Sequence, residues 1–437
     1  MKKHLFILAF AMLLSAASAF AQGGTTGPLT WNISNGTLTI SGEGAMPDYT
    51  SPDYAPWYKY NSSIKTVVIE NGVTTIGILA FYFCKVLESI TIPNSVTMIG
   101  DYAFSACSAL ESITIPNGVT TIGNGAFSGC SALTSIDISN SVTTIGYSAF
   151  YGCTALESIT LPNGITTIGN CVFFHCTALK SITLPNGVTT IGKEVFAYCS
   201  ALASITIPNS VTTIGSYSFH DCRSLKSINL PNSVTTIGNY AFSHCYALAS
   251  ITLPNSVTTI EAGAFAYCYA LASINLPNSV TTIGDYAFSH CTALTSITNL
   301  NPVPVDLDFF VFDGVDKNAC ILKVPVSAIS AYQAAEVWKE FKIEGIEVGI
   351  ETVETSAIKI YPNPTSGELW VSDMRCPICD MRQSEIEIFD VYGRNVSRLT
   401  SHIARPISID ISHLPTGVYF VRIQTENGVV TRKVVKM

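Results

Sequence analysis

The sequence predicts a solenoid of 23-residue coils, mostly short parallel β-strands and turns with little helix, followed by a small C-terminal β-sandwich. Three observations carry that expectation. Phe recurs every 23 residues from Phe81 to Phe288, Cys from Cys84 to Cys291 and Leu from Leu87 to Leu294; one fixed period of this size marks stacked identical units. Within each period, runs such as Ser250-Ile251-Thr252-Leu253 alternate polar and apolar residues, the pattern of a strand with one buried face. After Leu300 the period stops, and residues 357–437 switch to alternating segments parted by turn residues.

The elements follow in chain order. Residues 1–21 read as a secretory signal peptide: Lys2 and Lys3, a short apolar run from Leu5 to Leu14, then Ala19-Phe20-Ala21 as a cleavage site. The run is shorter than the roughly 20 residues a membrane span needs, so the mature chain is expected to begin at Gln22 and to be exported. Residues 22–63 read as an N-terminal cap, with a hairpin turning at Asn35-Gly36. Its aromatic loop, with Tyr54, Trp57 and Tyr58, either plugs the open end of the core or offers a carbohydrate platform. Residues 64–300 hold the coils. In each, Pro-Asn ends the first strand, as at Pro254-Asn255. A second short strand such as Val257–Ile260 follows, and a tight turn carries an Ala-Phe pair inward. One coil buries too little apolar surface to offset the entropy of ordering it, so coils are stable only in a stack.

Residues 301–349 read as a C-terminal cap with one short helix: helical spacing over Ser330–Phe341 puts Tyr332, Ala335, Val337 and Trp338 on one side. Residues 350–356 read as a linker. In residues 357–437, strands are expected at Ile358–Tyr361, Glu368–Val371, Glu385–Phe389, Ile407–Ile411 and Val418–Ile423, an arrangement that suggests a β-sandwich.

Composition excludes several functions. Charged residues make up 12% of the 437, against about 25% in an ordinary domain. The net charge of −8 and pI near 5.4 lack the basic stripe that nucleic acid requires. The sequence holds no GxSxG, no phosphate loop and no paired carboxylates, and the histidines do not fall at HExxH spacing. No metal or cofactor is therefore expected. Stacked coils about 4.8 Å apart hold parallel Cβ atoms near that spacing, too far for disulfides. The ten column cysteines thus read as buried free thiols behaving as small hydrophobes. Cys376-Pro-Ile-Cys379 has the spacing of a redox motif without its βαβ context, and reads as a loop disulfide or two unpaired thiols.

The repeated pattern Leu-x-Ser-Ile-x-Leu-Pro-Asn-x-Val-Thr-x-Ile-Gly-x-x-Ala-Phe-x-x-Cys resembles the BspA-like leucine-rich repeat family over about ten copies. Trp31 to Tyr60 resembles its N-terminal cap. The resemblance implies a leucine-rich-repeat solenoid in a secreted or surface protein, linked with adhesion to host proteins and other cells and without catalytic residues. Tyr361-Pro-Asn-Pro364, Gly393, Leu414-Pro-Thr-Gly-Val-Tyr-Phe420 and Arg432-Lys-Val-Val-Lys436 resemble the type A sorting domain of type IX secretion. That resemblance implies handling by the type IX machinery, passage across the outer membrane, and removal of the domain.

Two sets of positions stand beside the scaffold columns. Around each Cys lie Tyr151, Phe174, His175, Tyr198, His220, His244, Tyr246, Tyr267, Tyr269 and His290, expected to form a ridge of rings along one edge. Such a ridge is either edge packing or a binding surface, since aromatic residues are enriched at interfaces. Before each Ser-Ile, the outward column carries Glu88, Glu111, Glu157, Lys180 and Lys226, either a soluble sheet face or a second binding surface. The function expected is non-catalytic binding of an extracellular protein or glycan at the cell surface. The alternative is a structural, self-associating surface protein, and weaker still is an enzyme using Cys376-x-x-Cys379 or the histidines.

Overall fold

The computed structural model describes residues 22–51, 53–347, 358–373, 385–391, 393–400, 407–425 and 428–437. The expected signal peptide, the expected linker and Cys376 and Cys379 lie outside them. The chain forms two units, up to Ile346 and from Glu347 onward.

The first unit opens with Gln22–Thr26, Leu29–Ser34 and Thr37–Gly42, paired antiparallel. The last two are joined through Asn35 and Gly36 at φ 50° and 78°, the left-handed pair a type I′ turn requires. Thr37–Gly42 then pairs in parallel with Thr66–Ile69, the first strand of the coil stack. From there the 23-residue period becomes register. Ser158, Ile159 and Thr160 face Ser181, Ile182 and Thr183, while Thr167 and Ile168 face Thr190 and Ile191. Each coil but the one through Ser204, Ile205 and Thr206, which lacks the first, has two short parallel strands, Ser-Ile-Thr and Thr-Ile, whose isoleucines point inward. Phe81 to Phe288 are fully buried and stack on one another at 5.2–5.6 Å between centroids.

A tryptophan stops this Phe column at each end. Trp57 is fully buried 5.9 Å over Phe81 and donates Nε1–H to the Ala80 carbonyl at 2.8 Å. At the far end Phe312 continues the column, Trp338 meets it edge-on at 5.5 Å, and its Nε1–H reaches the Val305 carbonyl. Tyr54 and Tyr58, by contrast, stack on each other outside the core. The helix expected over Ser330–Phe341 is shorter, Ile329–Ala334. Val337 at φ 65° breaks the helical path before a 3-10 turn at Trp338–Glu340, which lets Tyr332, Val337 and Trp338 all reach the core.

The third side of each coil, the turn edge, has a backbone that sequence reasoning missed. Two positions per coil, five before and one before the column Cys, adopt left-handed φ of about 53–73°, for example Tyr240 and His244. This alternation turns successive amides the same way. Tyr240, Phe242 and His244 donate to the carbonyls of Ala262, Ala264 and Ala266 in the next coil at 2.8 Å, and the same triplet recurs coil after coil. Three rows of hydrogen-bonded peptides therefore run along this edge with every N–H aimed toward the C-terminal end.

The column thiols are buried and free, as expected, and they also bond. They are more than small hydrophobes: each Sγ–H, from Cys107 to Cys291, donates to the Phe carbonyl 26 residues earlier at 3.1–3.2 Å. That carbonyl also accepts the Cys N–H of its own turn, as at Phe81 with Cys84, so both lone pairs of a buried oxygen are used.

The second unit is a β-sandwich with antiparallel sheets. One holds Ile358–Tyr361, Glu368–Asp373 and Ile407–Asp410; the other holds Glu385–Asp390, Asn395–Thr400, Gly417–Thr425 and Gly428–Lys436. Leu369, Ile386, Ile388, Ile409, Val421 and Val434 close a core between them. The sequence markers are its fixtures. Asn363 donates to the Lys433 carbonyl and accepts the Val435 N–H. Lys436 Nζ is buried against the Ser412 and Leu414 carbonyls, and Tyr419 donates its hydroxyl to Pro415 at 2.7 Å.

Candidate binding surfaces

The turn edge brings all ten ring positions into one network. Tyr151 stacks on Phe174 at 4.8 Å, and Phe174 meets Tyr198 at 5.2 Å. Tyr198 meets His220 at 5.1 Å, His220 meets His244 at 5.2 Å, and His244 stacks on Tyr267 at 4.5 Å and Tyr267 on His290 at 4.6 Å. His175 lies edge-on to Tyr198. A shorter row beside it holds Tyr246 and Tyr269, stacked at 5.2 Å and tied across by the Tyr246 hydroxyl, 3.1 Å from His244 Nδ1. Tyr151, His175, Tyr198 and Tyr269 are exposed and the other six are half-buried. The left-handed backbone is the cause: it swings the side chain before each Cys outward and over the one a coil earlier.

Two residues at the centre of this network escaped the sequence reading. Arg223 opens the short row, its guanidinium 5.5 Å over the Tyr246 ring. It is held by both carboxylate oxygens of Asp221 at 2.9 and 3.0 Å. Asp221 is buried and takes the left-handed place before Cys222. A signal was available, since Arg223 is the first arginine in the chain and no other occurs before Arg375. Burial lowers the pKa of His220 and of His244, and the charge of His244 lowers that of His220 further. His220 Nδ1 lies 2.6 Å from the Ser243 hydroxyl. Ser243 gives its only proton to the Tyr240 carbonyl, so His220 must donate from Nδ1, and in the neutral ring Nε2 carries a lone pair.

The strand face is different in kind. Glu88 pairs with Lys65 at 2.9 Å and Glu157 with Lys180 at 2.8 Å, each across neighbouring coils and largely in water. Glu111 and Lys226 are exposed and stand in the same column, with no ion pair among the described residues. The Ser-Ile-Thr ladder is interrupted, pairing as Ser112–Ile115 with Ser135–Ile138, Ser158–Thr160 with Ser181–Thr183 and Ser227–Asn229 with Ser250–Thr252. Where it opens lie two shallow clefts of about 480 and 470 Å³, one around Ile136, Asp137 and Ile159, the other around Ile205, Asn229 and Leu230.

Comparison with known proteins agrees with this architecture. A secretion system C-terminal sorting domain matches residues 359–437, which indicates type IX secretion to the surface or extracellular space. No helix among the described residues is long and apolar enough to cross a membrane. No curated protein matches the chain. Among solved structures, a leucine-rich repeat protein from Bacteroides ovatus is 26% identical, covering 74% of this chain and 100% of its own, with a TM-score of 0.50. One from Eubacterium ventriosum is also 26% identical, over 74% of this chain and 83% of its own, at a TM-score of 0.44. A leucine rich cell surface protein from Faecalibacterium prausnitzii is 26% identical over 77% of this chain and 97% of its own, at 0.39. The BspA type leucine rich repeat region matches in six copies over residues 56–180 and 166–295, more than half of the chain; the protein belongs to that family.

Proposed function

We propose that the protein is a secreted, cell-surface, non-catalytic repeat protein that holds an extracellular protein or glycan on its turn edge, in the manner of an adhesin. The observation that carries this is the unbroken ring network from Tyr151 to His290, partly exposed and already ordered. Exposed aromatic clusters are favoured for contact, and side chains fixed before binding lose less entropy on binding. The nucleophiles in the coils are unsuited to catalysis: burial pushes the thiols of Cys84, Cys130, Cys199 and Cys291 up to about 12, and thiolates are the reactive form. Ser243, the hydroxyl beside His220, is fully buried.

A variant carrying Tyr151→Ala, Tyr198→Ala and Tyr269→Ala tests the reading. It is expected to be exported as the wild type is and to lose adhesion to host matrix and partner cells. Unchanged adhesion would exclude the turn edge, and lost self-association with intact adhesion would favour the structural alternative. Truncation after Ser356 is expected to trap the chain in the periplasm; normal display of that truncation would exclude export through the C-terminal unit.

A further inference from the structure

The ring network itself narrows the partner's chemistry. From His244 to His290 and from Tyr246 to Tyr269 the rings stack and cover each other's faces, so this stretch offers mainly edges to solvent, and an aromatic edge carries the positive end of the ring quadrupole. A neutral sugar stacking on an open face has little to use here. Three histidines line the row, and each has its Nδ1 beside a hydroxyl: His220 with Ser243, His244 with Tyr246 and His290 with Ser289. Their Nε2 atoms have no hydrogen-bond partner among the described residues. A protonated imidazole has an N–H at both ring nitrogens, and Arg223 adds a fixed guanidinium in the neighbouring row.

We propose that the double row between His220 and His290, anchored by Arg223, is a track for an acidic polysaccharide, a chain bearing one carboxylate per sugar. This rests on the turn edge being the binding surface. Spacing decides between two acidic polymers. Successive rings from His220 to His290 are 5.2, 4.5 and 4.6 Å apart, close to the length of one sugar unit. Same-face side chains of an extended polypeptide repeat at about 6.6 Å, so an acidic peptide has no side chain opposite Tyr267 and stands about 1 Å or more out of step at His244 and at His290. The opposing charges nearby are few. Asp221 is occupied by Arg223, Glu194 faces His220 from the preceding coil and is paired with Lys193, and Asp313 lies 3.8 Å from His290.

The track switches on with acid. Neutral His220 presents a lone pair that repels a carboxylate, and protonation turns the same atom into a donor. Asp221 and Glu194 favour the charged form of His220, while burial and His244 oppose it; Asp221 favours that of His244, while burial and Arg223 oppose it.

Binding of the full-chain protein to immobilised polygalacturonate, dextran and poly-glutamate tests this. Polygalacturonate is expected to bind about tenfold tighter near pH 5.5 than near pH 7.5, across the range where imidazole gains charge. Dextran should not bind and poly-glutamate should bind more weakly. Arg223→Gln should weaken the interaction at both pH values, and His244→Gln with His290→Gln, which leave the Asp221 pair intact, should flatten its pH dependence. Equal retention on dextran, preference for poly-glutamate, or binding indifferent to both sets of variants would overturn the proposal. Adhesion that depends on the tyrosines without any polygalacturonate binding would overturn it too, and leave the turn edge as the binding surface.

Discussion

The strand face and the turn edge are both exposed, both built from the same repeat and both traversed by a column of variable residues. They differ in what holds those residues. On the strand face, Lys180 and Glu157 reach through water to each other and are about 60% exposed; such pairs contribute little and are screened by salt. On the turn edge each ring rests on the next, and the hydroxyls fix the imidazoles. A repeat can thus present one surface that is soluble and indifferent beside another that is ordered in advance of any ligand. Position relative to a left-handed residue, rather than residue type, decides which is which.

That contrast can be strained in several ways. The largest effect belongs to the scaffold both faces share. Phe196→Ala, in the middle of the stacked column, is expected to cost about 3–5 kcal/mol, as buried Phe deletions do, read as a lower urea midpoint with both surfaces lost together. Cys199→Ala removes a thiol and leaves the Phe173 carbonyl with one donor, the Cys176 N–H; about 0.5–1.5 kcal/mol is expected, the net worth of one hydrogen bond. Acid gives the third. The folded-state pKa values of His220 and His244 are lowered, so the unfolded chain takes up protons first as pH falls below about 6.5. Stability should fall in that range, and His220→Gln with His244→Gln should reduce the loss. Lys180→Ala should lower stability by about 0–1 kcal/mol, the usual worth of an exposed ion pair, and leave ligand binding alone; a larger loss would show that the strand face is also a built surface.

Much of the fold is legible in the sequence because the period is register. Once Phe81 and Phe104 occupy one column, the Ser-on-Ser and Thr-on-Thr strand pairs follow. The two turn positions are harder to read. Their columns mix Tyr, His, Glu and Ala with Gly125, Gly129, Gly152 and Gly263, and those glycines are the trace of a positive φ. The ring positions were readable as a column, but their stacking was not, since it depends on the backbone turning them outward. Arg223 and Asp221 stood out in composition alone, and their meaning needed the geometry that sets a guanidinium over Tyr246. In the second unit two strands, Asn395–Thr400 and Gly428–Lys436, were not separated from neighbouring turns because their apolar residues are few or interleaved with charge.

The three rows of aligned amides on the turn edge have a consequence for how such a chain is assembled. Every finished coil holds out N–H groups that only the next coil can accept. A chain completed from its N-terminal end is therefore always unsaturated at its leading end, like a crystal with one growing face. Tyr49 and Trp57 seal the starting end by donating to the Ile78 and Ala80 carbonyls. At the leading end the Asp308 carboxylate catches the Phe310 amide, where the next coil's carbonyl would otherwise sit. Repeat number can change by whole coils between those two terminators without altering either.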